Sequence, residues 1–535
     1  MIIKFIGACR EVTGSVHYVE ACGKRFIVDY GMEQGEMVYE KAELPVPVAQ
    51  LDFVLLTHAH IDHSGLIPLL YTKGFKGPIF CTGATKDLCD IMLRDSAHIQ
   101  EFEAQWRNRK GLRKGSEPIV PLYTAEDVYN VMKQFKGIDY GEVCSPAEGI
   151  RVQFTDVGHL LGSASITITL EENGAEKTMV FSGDVGNSDQ PILKNPHPVA
   201  GGDFLVIEST YGNRSHPEKK DPIPKLLSVM KKTFDAGGNV VIPSFAVGRT
   251  QELLYFFRQI KADDMLPEYR DFRVYVDSPL AVSATSVFEK NKYDCYDGAA
   301  MALLNEGINP LEFPGLILSI TTEDSASINF DPRPKVILSA SGMCEAGRIK
   351  HHLKHNLWRP ASTILFAGYQ AHHTLGRAIV EGAKTVKIFG EEIAVNARIE
   401  TLEGISGHAD REGLLRWIEN MQIKPKQIFV VHGEESAACE FAQTVKSKFG
   451  KFGVEAVAPY SGDTYDLAKG EVMEEGDRKL REKKLSSKRF NTVFNKLVNT
   501  GERLNALIMA QEGHSNKDLA KMTSQIEALI DKWED

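Results

Sequence analysis

The chain has 535 residues, more than one hydrophobic core usually supports, so we expect two or three domains. Hydrophobic residues make up 43% and charged residues 25%, as in soluble globular proteins, and no run approaches the roughly 18–20 apolar residues of a membrane span. The net charge of −10 excludes a broadly basic nucleic-acid-binding surface but leaves room for a local basic groove. The N-terminus alternates like a strand and lacks the pattern of a secretory signal, which predicts a cytoplasmic protein.

The cysteines are scattered and form no CxxC pair, so neither a disulfide framework nor a cysteine-based zinc finger is expected. Buried free thiols are the simplest interpretation. The eight positions are Cys9, Cys22, Cys81, Cys89, Cys144, Cys295, Cys344 and Cys439.

Residues 1–210 predict short β-strands separated by glycine-rich turns, with few helices. The strand candidates are rich in β-branched and aromatic residues and include IIKFIGA, SVHYVEA, KRFIVDYG, LDFVLLTH, IRVQFTDVG, KTMVFSGD and DFLVIEST. Several of them end in a polar residue beside a turn, such as Asp29, His58, Asp184 and Glu208. This recurrence predicts a sheet sandwich that carries a site on one rim.

From residue 211 to 395 the pattern changes to strands such as NVVIPSF, FRVYVDSP, KVILSAS and STILFAGY, each followed by a helix-like segment. This alternation is typical of a parallel α/β sheet. Residues 396–466 return to short strands, with AVNARIETL and QIFVVHGE. An α/β domain inserted into the first domain would explain the return.

The tail from 467 to 535 predicts a basic and helical extension. A basic run, RKLREKKLSSKR, spans 478–489, and two amphipathic patterns follow it. The second pattern includes Leu519, Met522, Ile526 and Leu529. The apolar faces predict either a hairpin packed on its own protein or an arm that forms a homodimer or binds a partner.

The motif HAHIDH concentrates metal-binding side chains between the apolar segments LDFVLLT and SGLIPLLY. It contains His58, His60, Asp62 and His63. Imidazole and carboxylate are ligands suited to zinc, and less often to manganese or iron. A polar loop with an accidental histidine cluster is the alternative, but four ligand-type residues within six positions favour a metal site.

One such cluster cannot complete two metal sites, so further ligands must come from other strand ends. His159 in DVGHLLG, Asp184 in FSGDVGN and His432 in VVHGEE each follow an apolar strand and adjoin glycine. Each residue alone is a weak signal because polar residues are common in turns. Their shared context predicts that they lie on the same rim.

The combined set resembles the metallo-β-lactamase superfamily of hydrolases. Glu208 in IESTYG, His408 in SGHAD and His432 in VVHGEE further resemble the motifs of its β-CASP subgroup, whose members process RNA or DNA. The resemblance covers about residues 1–466 and is greatest to bacterial and archaeal relatives of the nuclease subunit that cleaves eukaryotic mRNA 3′ ends. It implies an αββα sandwich in two parts, 1–210 and 396–466, with a β-CASP parallel-sheet insert at 211–395.

The resemblance also implies the role of each residue at two zinc ions per chain, with manganese as the alternative metal. One metal would be held by His58, His60, His159 and Asp184, and the second by Asp62, His63, Asp184 and His432. Asp29 would orient a ligand without binding metal. Asp62, Glu208 and His408 would be catalytic, with His408 and Glu208 beside the metals to protonate the leaving oxygen or hold the phosphate. A histidine at position 60, where diiron relatives carry glutamate, favours hydrolysis over redox chemistry.

Two strand–loop–helix turns of the insert predict contacts to substrate phosphate, although ordinary turns are the alternative. The predicted phosphate-binding residues are Arg249, Ser339, Ser341, Gly342, Arg348 and His352. His372 and His373 depart from the family pattern, and we interpret them as surface variants.

The sequence therefore predicts a zinc-dependent ribonuclease acting on single-stranded RNA, endonucleolytic and with 5′–3′ exonucleolytic action as an option. The alternatives are a non-catalytic β-CASP scaffold, a DNA nuclease and a small-molecule hydrolase of the same fold. A filled set of ligand positions disfavours the scaffold, and the long insert disfavours the small-molecule hydrolase.

Overall fold

The computed structural model describes residues 1–35, 38–112, 118–217, 221–371, 373–476, 478–480, 508, 515–530 and 532. The chain divides into two compact units, Met1–Lys479 and Leu480–Asp535. The first unit contains the sheets and every predicted site residue.

The first segment of the chain forms the short strands that the sequence predicts. Its strands are β1 (Ile2–Gly7), β2 (Val16–Ala21), β3 (Lys24–Val28), β4 (Phe53–Leu55), β5 (Ile79–Thr82), β6 (Phe135–Ile138), β7 (Val143–Ala147), β8 (Ile150–Asp156), β9 (Ala164–Glu172), β10 (Ala175–Phe181) and β11 (Phe204–Glu208). Its helices are α1 (Ile61–Ser64), α2 (Ile67–Thr72), α3 (Gly83–Leu112) and α4 (Ala125–Val131), with 3₁₀ turns at Val48–Gln50 and Met132–Gln134.

The next segment alternates helices and strands. Its strands are β12 (Val240–Pro243), β13 (Arg273–Asp277), β14 (Leu316–Ser319), β15 (Lys335–Ser339), β16 (Thr363–Phe366), β17 (Thr385–Ile388), β18 (Glu391–Ala394) and β19 (Arg398–Thr401). Its helices are α5 (Pro222–Asp235), α6 (Arg249–Ala262), α7 (Pro279–Lys290), α8 (Lys292–Cys295), α9 (Gly298–Asn305), α10 (Thr322–Phe330), α11 (Ile349–Asn356) and α12 (Leu375–Val380), with a 3₁₀ turn at Pro267–Tyr269.

The chain then returns to the first domain. The remaining elements of the first unit are α13 (Arg411–Glu419), β20 (Gln427–Val431), α14 (Glu435–Phe449), a 3₁₀ turn at Gly450–Phe452, β21 (Glu455–Val457), β22 (Thr464–Asp466) and β23 (Glu471–Glu474). In the second unit, α15 (Asn516–Ile530) occupies the second predicted amphipathic segment. The first amphipathic segment, and the basic run beyond residue 480, lie outside the described residues.

Two sheets pack face to face to form the sandwich, as expected. Over the described residues, one sheet has the strand order β23-β22-β1-β2-β3-β4-β5-β6 and the other β21-β20-β11-β10-β9-β8-β7. Apolar side chains from both sheets fill the space between them, and the Phe5 and Phe429 rings meet there with centroids 4.8 Å apart. Helices α13 and α14 pack on the outer face of the second sheet through Leu414, Trp417 and Phe441.

The inserted domain is built on a parallel sheet of order β14-β13-β15-β12-β16-β19. Strand β19, which the sequence assigns to the returning segment 396–466, pairs in parallel with β16 and so belongs to this sheet. The side-chain alternation of AVNARIETL could not reveal this pairing, because it does not show which sheet a strand joins. Strands β17 and β18 form a separate antiparallel pair.

The free thiols agree with the prediction: none of the eight cysteines forms a disulfide, and Cys9, Cys81, Cys89, Cys295 and Cys344 are buried. Within the described residues, no helix is both long enough and apolar enough to cross a membrane.

Candidate metal centre and active site

The predicted site residues lie on one rim of the sandwich because they follow the ends of neighbouring strands. Strands β10, β11 and β20 are parallel neighbours, and Asp184, Glu208 and His432 stand at or just after their carboxyl ends. His58 follows β4 and His159 follows β8. Parallel strands bring their carboxyl ends to the same edge, so residues far apart in sequence converge there.

The first cluster, here called site A, consists of the side chains of His58, His60, His159 and Asp184. His60 Nδ1 lies 3.1 Å from His58 Nε2 and 3.2 Å from His159 Nε2. Asp184 Oδ2 lies 3.4 Å from the Nε2 atoms of both His58 and His159. Ligands about 2.0–2.1 Å from a tetrahedral zinc ion are about 3.3–3.4 Å apart, so these spacings match a tetrahedral set of three nitrogens and one oxygen.

The second cluster, site B, consists of Asp62, His63 and His432, with the other oxygen of Asp184. Asp184 Oδ1 lies 3.3 Å from His63 Nε2 and 3.5 Å from His432 Nε2, which in turn lies 3.5 Å from Asp62 Oδ2. Three of these buried atoms, His63 Nε2, His432 Nε2 and Asp184 Oδ1, have no hydrogen-bond partner among the described residues. Orphaned polar atoms are costly in a protein interior, and a shared cation would satisfy all three.

Asp184 connects the two sites because each of its oxygens faces a different cluster. Its side chain is 2% exposed, and burial alone would raise the pKa of its carboxyl. The charges of His432 and His63, together with a hydrogen bond from His58, outweigh burial and hold that pKa well below its usual value. The carboxylate is therefore ionised and able to bridge two cations.

Polar groups behind the imidazole rings of site A fix which nitrogen faces the cluster. His159 Nδ1–H donates to the Gly407 carbonyl at 3.1 Å. The Thr57 hydroxyl donates to Asp29 Oδ2 and can accept from His58 Nδ1–H at 3.1 Å. Both Nε2 lone pairs are thereby directed into the site, the usual arrangement of ligating histidines.

Site B has the same arrangement. Asp29 Oδ2 accepts from His63 Nδ1–H at 2.7 Å, which is the kind of contact that the predicted orienting role of Asp29 requires. The Thr210 hydroxyl donates to the His432 carbonyl and accepts from His432 Nδ1–H at 3.0 Å. No sequence motif marks Thr57 or Thr210 as a site residue; the signal for each is its place near a predicted site residue, in LTH and in EST.

Burial keeps the histidines of site A neutral. It lowers the pKa of His60 to about 3. It also lowers the pKa of His58, and that of His159 to well below its usual value. Neutral imidazoles carry the lone pairs that a metal requires.

His408 and Glu208 form a third group beside the metal sites. His408 Nδ1 lies 3.2 Å from both oxygens of Glu208 and 4.0 Å from Asp184 Oδ2, and the His408 ring centroid is 4.4 Å from that of His159. Burial would lower the pKa of His408, but the charge and hydrogen bonds of Glu208 raise it to about 9. His408 therefore carries a proton near neutral pH, with Nδ1 tied to Glu208.

The backbone around His408 is held in place from both sides. Ala409 N–H donates to the Val185 carbonyl at 2.8 Å. His216 Nε2–H donates to the His408 carbonyl at 2.9 Å, a contact that no sequence motif indicates. These bonds hold His408 beside Asp184, although His408 lies in a loop and not at the end of a strand.

Two of the predicted phosphate-binding residues bind a buried aspartate of the inserted domain. His352 is fully buried, with Nε2 2.6 Å from Asp277 Oδ2, so its predicted contact with a substrate is wrong. Arg348 donates to Asp277 Oδ1 at 2.8 Å and to the Ser319 and Ile320 carbonyls, and its contact with phosphate stays a prediction. Helix position alone could not reveal that aspartate.

The remaining predicted phosphate-binding residues have mixed surroundings. Ser339 is buried and donates to the Asp277 carbonyl, so its hydroxyl also serves the fold. Arg249 pairs with Glu252, three residues along α6. Ser341 contacts Ala346 in the loop before α11, and Gly342 accepts a hydrogen bond from Gln370. Of the two unusual histidines, His372 lies outside the described residues.

Comparison with known families matches three consecutive regions of the chain. Residues 9–209 match the family described as the metallo-beta-lactamase superfamily. Residues 250–379 match the Beta-Casp domain, and residues 392–459 match the Zn-dependent metallo-hydrolase RNA specificity domain.

Individual relatives are similar over most of the chain. Ribonuclease TTHA0252 of Thermus thermophilus is 36% identical over 431 residues, which cover 80% of this chain and 92% of that protein. An RNase J-like protein of Methanocaldococcus jannaschii is 31% identical, covering 83% of this chain and 95% of that protein. Transcription termination factor FttA of the same organism is 31% identical, covering 84% and 69% respectively.

Proposed function

Because the chain belongs to the metallo-β-lactamase superfamily, in its β-CASP branch, we propose that it is a ribonuclease that uses two zinc ions per chain to hydrolyse RNA phosphodiester bonds. The observation that carries the proposal is the pair of ligand clusters that share Asp184. The chain is a metal-dependent hydrolase by family, and the RNA specificity domain and the ribonuclease relatives support RNA as the substrate.

The donor sets support zinc at both positions. Site A offers three imidazole nitrogens and one carboxylate oxygen, and site B offers two imidazoles and two carboxylates. Mixed nitrogen and oxygen donors at tetrahedral spacing suit zinc, whereas manganese prefers more oxygen ligands. Manganese is therefore the alternative at site B more than at site A.

The chemistry divides between the metal pair and the protein. Two bound divalent cations lower the pKa of water and offset the negative charge that develops on the phosphate during in-line displacement. His408 is placed to give its Nε2 proton to the leaving oxygen, because its Nδ1 is held by Glu208. Glu208 also accepts from Val185 N–H at 2.6 Å, which keeps the carboxylate fixed behind the imidazole.

The test is the cleavage of an end-labelled single-stranded RNA by the purified protein. We expect cleavage that stops on chelation, returns with added zinc and is lost in Asp184→Asn, since that change removes one of the two ligand oxygens and the negative charge that the sites share. Asp139→Asn, an exposed aspartate far from the site residues in sequence, is the matched control and should cleave normally. Cleavage that persists in Asp184→Asn would overturn the proposed site.

Product mapping on the same RNA defines the mode of cleavage. Internal cuts indicate an endonuclease, and stepwise loss from a 5′-monophosphate end indicates the additional 5′–3′ exonucleolytic action. A DNA strand of the same sequence serves as the comparison, and preferential DNA cleavage would contradict the RNA assignment.

Metal content separates the enzyme from a non-catalytic scaffold. Elemental analysis of the purified chain should give about two zinc per chain, falling in Asp184→Asn. No bound metal, with RNA binding retained, would indicate the scaffold. Turnover of a lactam or thioester with RNA left intact would indicate the small-molecule hydrolase instead.

We also propose a homodimer in the cytoplasm. Exposed apolar side chains at Ile99, Phe102 and Trp106 on α3 support an additional protein contact. Light scattering should give twice the chain mass, and a monomer mass at micromolar concentration would contradict the dimer.

Free thiols at all eight cysteines support the proposed location in the cytoplasm, which is a reducing compartment.

A further inference from the structure

Arg214 lies between tyrosines that come from the two domains of the first unit. Its guanidinium carbon is 4.4 Å from the ring centroid of Tyr211, in the loop after β11. The same carbon is 5.9 Å from the ring centroid of Tyr369, in the loop after β16 of the inserted domain. A cation over aromatic faces is held in position without being neutralised.

The charge of Arg214 is available to a ligand. Within the described part of the chain, no carboxylate oxygen lies within 4.0 Å of its guanidinium nitrogens. Its backbone is anchored, since Arg214 N–H donates to the Tyr211 carbonyl at 3.2 Å and its carbonyl accepts from Arg411 N–H at 3.1 Å. The side chain itself is exposed. A fixed, exposed and unpaired guanidinium is suited to an anion such as phosphate.

The position of Arg214 relates it to the active site. The Tyr211 ring that it covers meets the His408 ring edge-on, with centroids 6.0 Å apart. One aromatic ring thus separates the guanidinium from the proposed proton donor. A phosphate bound by Arg214 would lie beside the scissile phosphate and not at it.

Exposed aromatic rings extend this surface onto the inserted domain. Tyr369 is 46% exposed, and Phe245, just after β12, is 49% exposed. Strands β12 and β16 are parallel neighbours, so both loops leave the same edge of the sheet. Gln370, in the loop after β16, donates to the carbonyl of Gly342 in the loop after β15, and a Cβ on Gly342 would lie 3.4 Å from the Phe245 ring. Exposed rings beside a cation form the kind of platform on which single-stranded bases stack.

We propose that Arg214 binds a backbone phosphate of the RNA next to the one being cut, and that Tyr369 stacks on the adjoining base. The inference rests on the proposed ribonuclease function and adds a substrate contact outside the metal centre. It also adds a cation near an edge of the insert where Arg249 and Arg348 are already paired with Glu252 and Asp277. Because Tyr211 and Tyr369 belong to different domains, the contact would hold the strand across their junction.

The experiment compares two substrates of the metal-loaded protein, a single-stranded RNA oligonucleotide and bis(p-nitrophenyl) phosphate, which offers only a diester. In Arg214→Ala we expect the kcat/KM for RNA to fall about tenfold more than that for the small diester, mostly through KM. Arg214→Lys should recover part of the loss, because it keeps the charge but not the planar contact. Arg270→Ala, which removes an exposed arginine elsewhere on the insert, is the matched control and should leave kcat/KM unchanged for both substrates.

Two further measurements test the two parts of the contact. Loss of one phosphate contact should reduce the slope of log affinity against log salt by about one in Arg214→Ala. Tyr369→Ala should weaken RNA binding severalfold, whereas Tyr369→Phe should not, since stacking needs only the ring. Equal fluorescence-anisotropy affinities for wild type and Arg214→Ala would overturn the inference. If wild type binds RNA with the expected Arg214 dependence but cleaves neither substrate, the catalytic proposal fails and the contact stands.

Discussion

Several histidines at the metal centre place one ring nitrogen in the site and bind the surrounding protein with the other. His63 directs Nε2 into site B while its Nδ1 bonds to Asp29, and His159 directs Nε2 into site A while its Nδ1 bonds to Gly407. Asp184 uses both oxygens on the site and takes its fixed position from the turn that carries it. That turn requires glycine at position 183, where φ is +55° and a Cβ would lie 2.9 Å from the Thr57 Cβ.

The proton donor can be removed without removing the metals. In His408→Gln we expect kcat for RNA to fall by about 10²–10⁴-fold, because glutamine cannot supply the proton. Zinc content should stay near that of wild type, since the side chain is not among the proposed ligands. The control is His98→Gln, an exposed histidine on α3. A normal kcat in His408→Gln would assign proton donation to another group.

Asp156 provides a pH-dependent term in stability. Burial raises the pKa of its carboxyl to about 7, although the Gly158 N–H and Lys194 oppose the rise. The unfolded chain loses this proton near pH 4, so the folded state holds the extra proton between about pH 4 and 7 and its free energy of unfolding falls as pH rises through that window. Above about pH 7 the penalty is complete.

Asp156→Asn should remove that penalty while keeping an oxygen for the Gly158 N–H. The free energy of unfolding of the variant relative to wild type should increase by about 1–2 kcal/mol between pH 5.5 and 8, measured by denaturant titration. Asp139→Asn should show no such change. A pH-independent difference for Asp156→Asn would show that the carboxyl is already ionised when folded.

Among the elements, the four-residue helix α1 depends most on its neighbours. It is too short to be stable alone, and its backbone is held by the segment that follows β3. Tyr30 N–H donates to the His63 carbonyl at 2.8 Å, and Met32 N–H donates to the Ile61 carbonyl at 2.9 Å. The close approach needs glycine between them, because a Cβ on Gly31 would lie 1.6 Å from the Asp62 carbonyl oxygen.

Gly31→Ala should therefore displace α1 and the two ligands it carries. We expect zinc content to fall by about one per chain and RNA cleavage to fall at least tenfold, because ligand atoms must be placed to within about 0.5 Å. Gly83→Ala, at the start of α3 with open space around the added methyl, should leave both values unchanged. Elemental analysis and the cleavage assay measure the two effects. Full zinc content in Gly31→Ala would show that α1 can shift without losing its ligands.

Across the whole molecule, the metal centre joins segments that the chain separates by hundreds of residues. Its proposed ligands come from the α1 region, from the turns after β8 and β10, and from the end of β20 after the inserted domain. Bound metal would therefore oppose the separation of the two parts of the sandwich. In the metal-free protein, the orphaned polar atoms act in the opposite direction.

Metal removal should lower the melting temperature of the protein by several degrees. A ligand present at 100 to 1,000 times its Kd stabilises the folded state by about 2.7–4.1 kcal/mol. Differential scanning fluorimetry with and without a chelator measures the shift, and added zinc should reverse it. Asp184→Asn should show a much smaller shift. An unchanged melting temperature in chelated wild type would mean that the clusters do not hold metal tightly.

Some of the site could be predicted because its signals are local. His58, His60, Asp62 and His63 are close in sequence, so their convergence needs only one turn. Other contacts could not be predicted because the two residues that form them lie far apart in sequence. Arg348 and His352 follow a loop suited to phosphate, but Asp277, on a different strand of the parallel sheet, binds both. The sheet that β19 joins could not be predicted for the same reason, since only the pairing of β19 with β16 shows it.

The sequence by itself determined the chemistry of the metal-ligand side chains and the alternation of strands and helices, because both depend on residue type and on spacings of a few positions. Only the tertiary structure decided that the two oxygens of Asp184 face different clusters, that Glu208 lies behind His408 and that Arg214 stands between tyrosines of two domains. The reason is physical. A side chain's partners depend on how strands pair and helices pack, and these contacts join residues whose separation along the chain carries no information about their distance in space.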